Sequence, residues 1–87
     1  MPRISGFNGM TIVMYYNDHN PPHFHIMYNE IYTRIEVESG EYMKGNKTLP
    51  RSKEKDILKW LDLNRSDIIK AWNDCMAKRQ PNKIPPL

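Results

Sequence analysis

The chain has 87 residues, 13 of them Lys or Arg against 10 Asp or Glu, a formal net charge of +3, and 39% hydrophobic against 26% charged residues. That length holds one domain, the composition excludes a disordered polymer, and the single Cys75 excludes an internal disulfide, so a reducing, cytoplasmic setting is expected. No segment suits a membrane: the longest apolar run, Met10 to Tyr16, is about a third of a spanning helix, and Met1 to Ser5 lack the apolar core of a signal peptide.

In chain order, Ser5-Gly6-Phe7-Asn8-Gly9 reads as a turn-rich lead into a first strand over Met10 to Tyr16. Thr11, Ile12 and Val13 are β-branched, and apolar groups on both faces predict an interior place in the sheet. Next comes Asn17 to His25, which holds all three histidines. Pro21 and Pro22 fix φ near −65° and remove two backbone donors, so this stretch is expected to be a stiff, largely extended loop.

Two strands follow, His23 to Tyr28 and Ile31 to Glu38, separated by Asn29-Glu30. A two-residue connection predicts a tight hairpin in which Tyr28 faces Ile31, Ile26 faces Thr33, His25 faces Arg34 and His23 faces Glu36. Paired residues share a face. One face then carries Phe24, Ile26, Tyr28, Ile31, Thr33 and Ile35 as core, and the other gathers His23, His25, Tyr32, Arg34 and Glu36 on an open sheet surface.

Ser39-Gly40 turns into a short strand over Glu41 to Met43, and Lys44 to Lys47 form a mobile basic connection. The period then changes. Ser52 is a plausible N-cap, Glu54 and Asp56 sit in the first turn, Ile57, Leu58 and Leu61 make an apolar stripe flanked by Trp60, and Asn64 can close the helix. Ser66 then caps a second helix, Asp67 to Arg79, with Ile68, Ile69, Trp72, Cys75 and Met76 at core spacing. The tail 80–87, with three prolines, is either an extended strap or a peptide offered to a partner.

The expected fold is therefore α+β: a three- to four-stranded antiparallel meander with a C-terminal helical hairpin packed on one face. A single domain spans 1–87, with a sheet half over 1–50, the helical hairpin over 51–79 and the tail over 80–87. The helical half is the basic half, with eight basic and five acidic residues over 51–80 against four and five over 1–50. That balance permits an acidic or phosphate-bearing partner.

Three functions suit the histidine face. As a metal-independent ribonuclease it would use His23 as acid, His25 as base, Arg34 as the cation for the phosphorane and Glu36 to orient His23, with His19, Tyr32, Lys44 and Lys47 binding substrate and no cofactor. In that reading Glu36 raises the pKa of His23, and Arg34 lowers that of His25. As a metal site it would draw on Asp18, His19, His23 and His25, with Zn as the divalent ion. As a structural or protein-interaction module, the histidines would only knit the loop to the sheet.

Met-Pro-x-Ile at the start, Asn17-Asp18-His19-Asn20-Pro21-Pro22-His23-Phe24-His25, Ser39-Gly40-Glu41, Leu49-Pro50, Trp60 with Asn64-Arg65, Trp72, and Lys83-Ile84 to Pro86-Leu87 together resemble the domain of unknown function 4160 family of small prokaryotic proteins. The resemblance implies a protein partner encoded by an adjacent gene, in a pair that looks like a toxin and antitoxin module. Self-association, with a homo-oligomer as its product, is also compatible with so small a chain.

Overall fold

The computed structural model describes residues 2–87. Four antiparallel strands form one sheet in chain order, β1 (Arg3–Phe7), β2 (Met10–Val13), β3 (His23–Tyr28) and β4 (Ile31–Glu36), followed by one helix, α1 (Arg51–Met76). The fold is thus α+β, as the sequence suggested.

The lead Ser5 to Gly9 is mostly a strand. Asn8 and Gly9 take φ of 51° and 80°, the left-handed pair that joins hairpin strands without splaying them. Phe7 consequently faces Met10, and Ile4 is fully buried. The strand expected over Met10 to Tyr16 ends at Val13, between β1 and β3. The β3–β4 hairpin has the predicted register at all six pairs, from His23 with Glu36 to Tyr28 with Ile31. Asn29 supplies the positive φ of its turn, at 51°.

The helical hairpin is replaced by a single 26-residue helix with non-helical angles at Asn64, φ −127° and ψ 19°. The residues expected to stop one helix and start another only kink it. Asn64 Nδ2 donates to Trp60 O at 3.0 Å, so the side chain occupies a carbonyl at the irregular turn. The physical reason for one helix lies in phase: Ile57, Leu61, Asn64, Ile68, Trp72 and Cys75 follow one another at three or four residues without interruption. Ser52 lies inside the first turn and Pro50 takes the cap position, without a side-chain hydrogen bond.

The helix covers the sheet face of Phe24, Ile26 and Ile35. Trp60, fully buried, sits at the centre, 5.6 Å from the rings of both Phe7 and Phe24. The tail is a strap. Ile84 N–H donates to Ile4 O at 2.7 Å, Trp60 Nε1 donates to Pro85 O at 2.9 Å, and Ile84 is buried.

The expected strand over Glu41 to Met43 reduces to one bridge, Ile35 with Tyr42, flanked by bonds from Glu36 N–H to Glu41 O and from Met43 N–H to Arg34 O. Tyr42 then joins sheet to helix: its hydroxyl donates to Glu54 Oε2 at 3.0 Å and accepts from Leu49 N–H at 2.9 Å. Tyr42→Phe leaves that N–H without its partner, and a loss of about 1–2 kcal/mol in urea unfolding is expected. Burial pushes the Tyr42 pKa up, with Glu54 acting in the same sense. Because the fold prefers the neutral phenol, this stability is complete below about pH 10 and is lost as pH rises through the raised pKa; the Phe variant should lack that alkaline component. Among the described residues no helix is long and apolar enough to cross a membrane.

Candidate functional site

The loop from Met14 to Pro22 turns back over the sheet instead of running free of it. Asn17 takes φ 58°, the Asn20–Pro21 peptide is cis, and Asp18 Oδ1 accepts from His19 N–H at 2.8 Å, an Asx arrangement. Val37 N–H donates to Pro22 O at 2.9 Å, pinning the end of the loop to the exit of β4. The histidine face is consequently closed, contrary to the open surface expected: His23 is 1% exposed and His25 6%. Strand alternation decides which face a side chain takes, but not what lies over that face. Here Tyr15 packs edge-on against His25 at 4.4 Å, and the Trp72 ring lies 5.2 Å from that of His23.

Asp18 Oδ2 lies 3.0 Å from His23 Nε2 and 3.0 Å from His25 Nε2. The His25 contact is a hydrogen bond, whereas His23 Nε2 is buried without a hydrogen-bond partner among the described residues. The other nitrogen of each ring is held from outside. His23 Nδ1 donates to Pro21 O at 2.7 Å, since a carbonyl only accepts, and His25 Nδ1 lies 3.1 Å from the Tyr32 hydroxyl. Tyr32 in turn bonds the Tyr15 hydroxyl at 2.5 Å.

These contacts set the electrostatics. Burial drives the His25 pKa down, further helped by His23 and Arg34, while the bond to Asp18 opposes it. The direction matches the sequence expectation, but burial rather than Arg34 is the main cause. Burial raises the Asp18 carboxyl, yet the hydrogen bonds from His25 and His19 and the nearby imidazoles bring it below its ordinary value. Burial and the Tyr15 bond push Tyr32 up to about 12, so it remains a neutral phenol.

Arg34 lies beside His25 in the register, and its Nε donates to Asn46 Oδ1 at 3.1 Å. The 44–47 connection is thereby drawn against β4, and Thr33 Oγ1 also donates to Lys47 O. Tyr32, Arg34, Asn46 and Lys47, with Gly45 and Glu30, line an open hollow of about 540 Å³. The structure therefore joins His23 and His25 to Asp18, and sets Tyr32, Arg34 and Lys47 together beside them. Lys44 is exposed outside that lining, and His19 is exposed, contributing its backbone N–H to Asp18. Glu36 faces His23 in the ladder, but the atom that orients His23 is Pro21 O.

Sequence reasoning did not include Tyr15 or Trp72. For Tyr15 the sequence signal is only that it shares the face of Val13 in the alternation of the expected Met10 to Tyr16 strand; the pairing of Val13 with His25 in the structure then brings that face to the histidines. Trp72 was assigned only to the core stripe of the helix, and no local pattern places it beside His23.

A family model described as Domain of unknown function (DUF4160) matches residues 9–73, most of the chain. The chain belongs to this family. The matched DUF4160 region runs from Gly9, through the whole histidine loop and the β3–β4 hairpin, to Asn73, so it contains Asp18, His23, His25, Tyr32, Arg34 and Trp72, and leaves β1 and the strap outside. No curated protein and no solved structure matches the chain significantly.

Proposed function

We propose that this DUF4160 protein is a small binding domain for single-stranded RNA, which it holds on the hollow of Tyr32, Arg34 and Lys47 without cleaving it. The observation that supports this is the exposed Tyr32, 46% accessible, which shares the lining of an open hollow of about 540 Å³ with Arg34 and Lys47, and with Glu30 at its margin. An aromatic ring can stack a base and the flanking cations can track phosphates; neither requires sequence-specific readout.

Acid–base cleavage needs both imidazoles at the substrate, and His23 at 1% exposure and His25 at 6% do not reach it. Binding by the outer rim makes no such demand.

Fluorescence anisotropy with a labelled ten-nucleotide oligouridine tests the proposal. Binding should weaken with salt, with a log–log slope of about −1.4 if two phosphates are neutralised at about −0.7 each. Arg34→Ala and Lys47→Ala should each lower affinity and remove about half of that slope. Tyr32→Ala should cost about tenfold, the lower range of a lost base stack. Oligonucleotide binding that is absent at low salt, or equal in wild type and all three variants, would refute it.

A further inference from the structure

We propose that Asp18, His23 and His25 form a three-ligand site for a divalent transition ion of the zinc class. The proposal is independent of RNA binding and rests on the Oδ2–Nε2–Nε2 cluster behind Tyr32, whose three candidate donor atoms all lie within 4.8 Å of one another.

The decisive atom is His23 Nε2. His23 is 99% buried, and its Nδ1 proton is committed to Pro21 O at 2.7 Å. In the neutral ring Nε2 therefore carries a lone pair, and this lone pair is buried 3.0 Å from a carboxylate oxygen with no donor to satisfy it. Two electron-rich atoms at that separation repel each other, and His23 Nε2 cannot turn to water. The contact with Asp18 is close but is not a hydrogen bond, so Nε2 has no hydrogen-bond partner among the described residues. A cation between the atoms removes the conflict, because the same lone pairs become ligands.

The surrounding bonds suit that role. A metal-bound imidazole ordinarily donates its second N–H to a carbonyl, carboxylate or other oxygen, which fixes the tautomer and aims the ring. His23 already does so to Pro21 O. With Nε2 as ligand, His25 Nδ1 carries its proton and donates to the Tyr32 hydroxyl 3.1 Å away, and the Tyr32 O–H donates in turn to the Tyr15 hydroxyl. Asp18 is held through its other oxygen, Oδ1, by His19 N–H. Every ligand is thus oriented through an atom that does not face the centre.

Size and donor chemistry select the ion. Bonds of about 2.0–2.1 Å in a tetrahedron place neighbouring ligand atoms about 3.3 Å apart, so the two 3.0 Å separations to Asp18 open by a few tenths of an ångström while the two imidazole nitrogens, within 4.8 Å of each other, draw together around the ion. Two imidazole nitrogens and one carboxylate oxygen favour Zn²⁺ and its neighbours Co²⁺ and Ni²⁺ over Mg²⁺ or Ca²⁺, which prefer oxygen. Three protein ligands leave a position for water or another donor. The exposed His19 is not a member, although it lies next to Asp18 in sequence.

The test is titration of chelator-stripped full-length protein with Zn²⁺ by calorimetry and with Co²⁺ by visible absorption. About one ion per chain is expected, with a rise in melting temperature on zinc addition and the absorption of low-coordinate cobalt. Asp18→Asn retains an oxygen for His19 N–H but not the anionic ligand, and should weaken uptake at least about tenfold, as should His25→Gln. His23→Phe puts an apolar ring beside Trp72 and should remain folded by circular dichroism while losing uptake. His19→Ala should bind as wild type does. Folded wild type that takes up neither ion, or uptake undiminished in Asp18→Asn and His23→Phe, overturns the proposal. Arg34→Ala and Lys47→Ala should keep the ion whatever they do to RNA, which separates the two functions.

Discussion

Trp60→Ala is expected to remove about 3–5 kcal/mol of stability, enough to leave the domain unfolded or close to it at 37 °C. A chain of 87 residues carries about 4–13 kcal/mol in total, so one such cavity consumes much of it. Trp60 is fully buried, touches Phe7 of β1 and Phe24 of β3, and reaches the strap through its indole N–H. It is the side chain at which all three parts of the fold meet. Urea unfolding followed by far-ultraviolet circular dichroism measures the loss, with Trp72 left as a fluorescence reporter. Trp60→Phe keeps most of the apolar volume and should cost less than half as much. An unfolding free energy for Trp60→Ala within about 1 kcal/mol of wild type would show that sheet and helix are held together elsewhere.

Deleting residues 81–87 should cost about 2–4 kcal/mol, although the segment has no regular structure. The loss combines the burial of Ile84, worth about 1.5–3 kcal/mol, with two hydrogen bonds worth about 1 kcal/mol each, offset by the freedom that the released segment regains. Trp60 Nε1 would be left facing the gap. Because the loss lies at the indole, the deletion and Trp60→Ala should be less than additive in a double-mutant cycle. Additive effects would mean that the strap is held chiefly by β1.

The parts of this structure legible in the sequence are those that a local rule determines. A two-residue connection leaves the β3–β4 ladder a single register, which puts His25 beside Arg34 and Tyr32 on the same side. Other features needed more than a local rule. Asn8-Gly9 carries as strong a hairpin signal as two residues can, but Arg3 to Phe7 before it, interrupted by Gly6, does not look like a strand by composition. Asn64 and Ser66 are good helix-boundary residues, yet the apolar stripe keeps its phase through them, and burial of that stripe outweighs a preference worth about 1 kcal/mol. At the site, pairing supplied the two histidines but not their cover. Only the return of the loop brings Asp18 between them and makes the two rings neighbours of one carboxylate oxygen.

The two outer strands are both fringed by segments that are not strands themselves. Ile84 occupies a carbonyl of β1, while Glu41 and Met43 occupy the main-chain groups of β4. An open sheet edge is a template for another chain, and an unguarded four-stranded sheet can grow sideways into fibrils. Here the prolines at 81, 85 and 86 have no N–H to offer a newcomer, and a tight turn at Lys44-Gly45 follows the fringe along β4. One main-chain group of β1 and two of β4 are therefore withheld from edge-to-edge pairing by the chain's own flanking segments.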